Sequence, residues 1–127
     1  MSVTEESGAG FDTATLRHAI EDRDVDAMLG MLAEDAEVRT VNRNAPPGAP
    51  VALHGRFEIE GALRDVFGRE MTHELRNVVV EGNHAAYEEL CTYPDGTQVL
   101  GITMLDLENG RIRRQTTVEA WDEEKPG

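Results

Sequence analysis

Cysteine is nearly absent from this chain: Cys91 stands alone, which excludes an intramolecular disulfide and leaves no cysteine cluster for zinc. Basic residues are scarce as well, 12 against 25 acids, and the resulting formal charge of −13 repels phosphate backbones and anionic lipid surfaces. Neither nucleic acid nor a membrane is therefore an expected partner. No apolar run approaches the ~20 residues that span a bilayer. The opening Met1-Ser2-Val3-Thr4-Glu5-Glu6 lacks the basic start and apolar stretch of a signal peptide, so a cytoplasmic location is expected. His18, His54, His73 and His84 show neither HxxxH nor HxH spacing, and the sequence predicts no metal site and no cofactor.

What is present suits one small core. A length of 127 residues, 39% hydrophobic and 29% charged, fits a single globular domain. Polar, aperiodic stretches at residues 1–11 and 122–127 read as tails around a domain over residues 12–121. Asp12 is a plausible N-cap for a helix carrying Leu16, Ala19 and Ile20. Asp24 offers a second cap for Val25, Met28, Leu29 and Leu32 at helical spacing. A short strand is expected over Asp35–Val41. The three prolines and one glycine between Asn42 and Pro50 predict a loop, and Ile59, Ala62, Leu63, Val66 and Phe67 return to helical period. Beyond Thr72 the chain is rich in Val, Ile, Thr and Tyr. Gly82-Asn83, Pro94-Asp95-Gly96 and Glu108-Asn109-Gly110 punctuate it as hairpin turns. Helices first and an antiparallel meander afterwards define an α+β fold, with the helices covering one sheet face.

The phrases Asp24-Val25-Asp26-Ala27-Met28 through Val38, Leu53-His54-Gly55-Arg56 with Ile59, and Asp106-Leu107-Glu108-Asn109-Gly110-Arg111-Ile112 resemble, in order, segments of the nuclear transport factor 2-like superfamily. That superfamily includes ketosteroid isomerase, limonene epoxide hydrolase and SnoaL-like polyketide cyclases. The resemblance implies a cone: three N-terminal helices on a strongly curved, mostly antiparallel sheet that encloses a pocket for a small organic molecule. It also implies a homodimer through the outer sheet face. In ketosteroid isomerase a tyrosine, a base aspartate and a second acid occupy positions that match Leu16, Thr40 and Ile102 here. Proton abstraction beside a carbonyl needs a base and donors for the enolate oxygen, so steroid isomerisation is not expected. The Asp-Arg-Asp arrangement of limonene epoxide hydrolase finds no residue-by-residue match.

Carrying the alignment onward places Leu100, Ile102 and Met104 toward the cone and Val99, Gly101, Thr103 and Leu105 on the outer, dimerising face. It also turns Tyr87, Glu89, Cys91 and Tyr93, and Arg113, Gln115, Thr117 and Glu119, toward the cone. Glu89 and Glu119 form the sharpest candidate pair, since two carboxylates in one low-dielectric pocket can divide acid and base roles. Against that stands a plain ion pair with Arg113 or Arg114, or a one-residue slip that turns the set to solvent. His73 is a third catalytic candidate, with a structural role as the alternative. Tyr87, Gln115, Thr117, Thr40, Ile102 and Trp121 are candidate ligand contacts, with Trp121 at the mouth. Cys91 has no obvious histidine partner and reads as a small buried hydrophobe; Met28, Met31 and Met104 read as core. The expected activity is cofactor-free acid/base chemistry on an apolar cyclic compound by an isomerase, cyclase or hydrolase. A non-catalytic binding or dimerisation module is the alternative.

Overall fold

The computed structural model describes residues 10–123, so the sequence-expected tails fall outside the described residues at 1–9 and 124–127. Helix α1 runs over Thr13–Glu21 because the Asp12 carboxylate accepts from the backbone N–H groups of Ala14 and Thr15, satisfying donors that the first turn leaves free. Asp24 caps α2 (Val25–Gly30) in the same way through the N–H of Ala27. This helix is shorter than its apolar spacing predicts. It ends at Gly30, and Leu32 opens strand β1 (Leu32–Val41) instead of closing the helix. Burial decides that competition: Leu32 is almost fully covered from within the sheet.

After the proline-bearing loop, β2 (Val51–His54), a strand the sequence did not signal, pairs antiparallel with β1 and leads into α3 (Gly55–Phe67). Strands β3 (Thr72–Glu81), β4 (His84–Thr92), β5 (Gln98–Glu108) and β6 (Arg111–Trp121) form the meander. At the last turn both Asn109 and Gly110 adopt positive φ, as a tight two-residue hairpin requires, and a Cβ at Gly110 would strike the backbone of Gly10 at 2.9 Å. The sheet is six-stranded, ordered β2-β1-β6-β5-β4-β3, curved and unclosed, with β1 and β6 its parallel pair.

All three helices lie against the concave face. Leu16, Ile20, Met28, Ile59 and Phe67 from the helices meet Leu75, Tyr87, Leu105 and Ile112 from the sheet. Phe11, grouped with the tail by sequence, is buried in the same core.

The facing of β5 differs from the sequence expectation. Strand partners share a face, and Glu89 pairs with Gly101, not Ile102, while Tyr87 pairs with Thr103. Val99, Gly101, Thr103 and Leu105 therefore point into the concavity, and Leu100, Ile102 and Met104 point out. Leu105 is 1% exposed, whereas Ile102 is 43% and Met104 65% exposed. Ile102 is accordingly no ligand contact, Met104 is not core, and Leu105 cannot belong to an outer interface.

Candidate functional site

Between α3 and the concave sheet lies a pocket of about 440 Å³. Its far wall is apolar, from Leu63 and Val66 of α3 to Leu53 of β2. The sheet side supplies the polar groups in rows fixed by register. One row runs Glu89, Gly101, Glu119 across β4, β5 and β6; the next runs Tyr87, Thr103, Thr117 and continues to Thr40 on β1. Glu89, Glu119, Tyr87, Gln115, Thr117, Thr40 and Trp121 all line the pocket. Arg113 does not. A bulge between Asp106 and Leu107 breaks the alternation of β6 and leaves Arg113 outside, paired with Asp35 and Glu108.

Glu119 accepts from Asn42 Nδ2 at 3.1 Å and from the indole Nε1 of Trp121 at 3.4 Å. No arginine neutralises it or Glu89 among the described residues. At the mouth Trp121 stacks on Tyr93 with ring centroids 6.1 Å apart, and the Arg43 guanidinium sits 5.5 Å from the Trp121 ring. Arg69 donates to the Tyr93 hydroxyl at 3.2 Å, which fixes that ring. Of this rim the sequence signalled Trp121 and Tyr93; Asn42, Arg43 and Arg69 come from loop positions without periodicity to mark them.

Glu89 is held differently. Its Oε2 lies 2.6 Å from Nδ1 of His73, and an ionised carboxylate can only accept, so the imidazole donates. The His73 side chain is 1% exposed, lies behind the pocket wall and has the Phe67 ring nearly perpendicular at 5.5 Å. Its Nε2 is buried with no hydrogen-bond partner among the described residues. Cys91, expected to lack a histidine, is the register partner of His73, with Sγ 3.3 Å from Nδ1 and 3.5 Å from Glu89 Oε2. Burial, then the negative charge of Glu89, push the Cys91 thiol well above its ordinary range. Burial raises the Tyr87 phenol likewise, with Glu89 adding to it, so this hydroxyl stays protonated and can donate.

A bulge creates the cluster. From the Gly82-Asn83 turn the β3–β4 pairing runs in register to Val79 and Ala86, then shifts by one residue before Arg76 and Glu88, where Asn77 takes positive φ. Without that shift His73 would face Thr92 instead of Cys91.

In the observed register the isomerase positions hold no acid. Leu16 is fully buried, Thr40 lines the pocket, and the inward neighbours of Ile102 are Gly101 and Thr103.

No curated protein sequence matches this chain. Solved structures do. A nuclear transport factor 2-like protein of unknown function from Mesorhizobium loti superposes with a TM-score of 0.76 at 16% identity, covering 94% of this chain and 95% of that one. One from Burkholderia xenovorans gives 0.75 at 21%, covering 99% and 92%. An epoxide hydrolase of Mycobacterium tuberculosis, similar to limonene epoxide hydrolase, gives 0.65 at 15%, covering 94% and 86%. At such identities they share the fold. The SnoaL-like domain profile matches residues 13–115, from the first helix into the last strand, and the chain belongs to that family.

Proposed function

We propose that the pocket binds a small, mostly apolar cyclic compound and transforms it by acid/base chemistry, with Glu89 as the base and His73 positioning it. The observation that carries this is the 2.6 Å bond between a pocket carboxylate and a fully buried imidazole. Such a bond fixes the carboxylate's direction and leaves its second oxygen for substrate. Tyr87, two residues away on the same strand, serves as donor, and Glu119, two strands across in the same row, as second carboxylate. The reaction class is isomerisation, cyclisation or hydrolysis, as among the proteins that share this fold. Lactone, epoxide and enone panels test it: a turned-over substrate should lose about 10²–10⁴-fold in kcat with Glu89→Gln. Pocket occupancy seen by native mass spectrometry, with no turnover in any panel, would instead support a non-catalytic binding module. The absence of acids at the isomerase positions favours that second reading.

The assembly we propose is a homodimer through the outer face of β5 and β6. Leu100, Ile102, Met104, Thr116, Val118 and Ala120 carry no charge there, although the chain as a whole stands at −13. Against the net negative charge, an uncharged face of this kind is where two copies meet with the least repulsion.

A further inference from the structure

We propose that His73, Glu89 and Cys91 form a site for one thiophilic divalent cation of the zinc or cobalt type, with a fourth coordination position open to the pocket. Nδ1, Oε2 and Sγ lie within 4.8 Å of one another. Tetrahedral zinc, with bonds of about 2.0–2.1 Å to nitrogen and oxygen and about 2.3 Å to sulfur, sets sulfur roughly 3.6 Å from its neighbours and nitrogen roughly 3.4 Å from oxygen. The two sulfur edges of the triangle, 3.3 and 3.5 Å, are already near that geometry. Only the 2.6 Å nitrogen–oxygen edge must open, by less than about 1 Å, which rotation of the partly exposed Glu89 side chain supplies.

Strand pairing and packing hold the donors close together. His73 and Cys91 are register partners on adjacent strands, Glu89 precedes Cys91 by two residues on the same face, and the His73 ring is pinned against Phe67. A thiolate, an imidazole and one carboxylate make a borderline-soft set that selects zinc or cobalt over calcium or magnesium.

The Glu89 carboxylate, its Oε2 3.5 Å from Sγ, supplies negative charge that attracts a cation. On binding, three metal–ligand bonds form and the Nδ1–H···Oε2 hydrogen bond is broken. The imidazole keeps a single proton on Nε2, and the thiol proton passes to solvent. One proton is therefore released per ion, and affinity rises with pH. Because coordination consumes the hydrogen bond that orients Glu89, the metal-bound and acid/base forms are alternatives at this residue. The inference does not depend on the proposed reaction, which is assayed in chelator.

Titration of chelator-treated full-length protein with Co²⁺ tests it. A single equivalent should give sulfur-to-cobalt charge-transfer absorption in the near ultraviolet and tetrahedral ligand-field bands in the visible, both bleached by Zn²⁺. Cys91→Ser should abolish the charge-transfer band, and His73→Gln should weaken binding at least tenfold, with circular dichroism reporting the fold of each variant. Without any variant, Zn²⁺ should shield Cys91 from thiol reagents. No thiolate band in the wild-type protein, undiminished cobalt affinity in a folded His73→Gln variant, or only weak multi-site binding to the acidic surface overturns the proposal.

Discussion

Glu89 and Glu119 stand in one row of the concave sheet with Gly101 between them, so two carboxylate-bearing strands are separated by a residue that has no side chain. Neighbouring strands lie about 4.8 Å apart, which puts the two backbones roughly 10 Å from each other and leaves room above Gly101 for a ring. A Cβ at Gly101 would meet only ordinary contacts, Thr117 Cγ2 at 3.4 Å and the Glu89 carbonyl at 3.9 Å. Gly101→Leu is therefore expected to keep the fold while filling the pocket. A pocket-binding apolar dye should lose at least tenfold in affinity, about 1.4 kcal/mol, with the melting temperature held or raised. Undiminished dye binding would place the ligand elsewhere.

Met104 and Leu105 are sequence neighbours with opposite fates, and the contrast tests the interface. Met104→Glu should convert the proposed dimer to a folded monomer in light scattering. Leu105→Ala, in contrast, should cost about 2–5 kcal/mol of stability by opening a cavity in the core. A wild-type chain that is already monomeric at micromolar concentration would refute the dimer.

The Cys91 thiol is held protonated chiefly by burial and secondly by Glu89. Alkylation of the native protein in chelator at neutral pH should be much slower than that of the denatured chain. Glu89→Gln should speed it only in part, because the burial remains. A thiol whose folded pKa exceeds its unfolded value also costs stability once pH climbs past the unfolded value, so the alkaline loss of stability should be smaller in Cys91→Ala. Equal alkylation rates in native and denatured protein would contradict the geometry.

His18 bridges Asp22 at 2.7 Å and Asp24 at 3.0 Å, and these bonds, Asp24 first, raise its pKa above 6.5. A raised folded value means that the imidazolium stabilises the fold fully below the unfolded pKa, with that contribution lost as pH rises through the folded one. His18→Gln should thus flatten the fall of the denaturation midpoint above pH ~6.5, by a small amount because the group is exposed. A histidine proton resonance titrating at or below 6.5 would remove the effect.

Local chemistry marked the elements clearly. Asp12 and Asp24 announce helix starts, the glycine-bearing turns announce hairpins, and alternating runs between them leave an antiparallel meander as the natural outcome. The helices-then-strands order that follows is enough for the α+β class, and the motif resemblance supplied the superfamily. Glu89, Glu119, Tyr87, Gln115 and Thr117 were legible as one inward set because each lies on a regular stretch of its strand.

The sequence alone determined which residues alternate within each regular stretch; which face each strand turns inward, and where a bulge interrupts it, was decided only when the strands paired. Side-chain direction has period two, so a single bulge reverses every residue beyond it. Neither the bulge at Asn77, which sets His73 opposite Cys91, nor the one that expels Arg113 has a distinctive local signature. The β5 strand shows the same limit without a bulge: Val99 to Leu105 is apolar on both sides, so composition could not choose a face. Pairing with Glu89 and Glu119 fixed it by setting Gly101 in their row. The cluster of His73, Glu89 and Cys91 is thus a property of strand register, a long-range quantity that residue spacing along one chain does not encode.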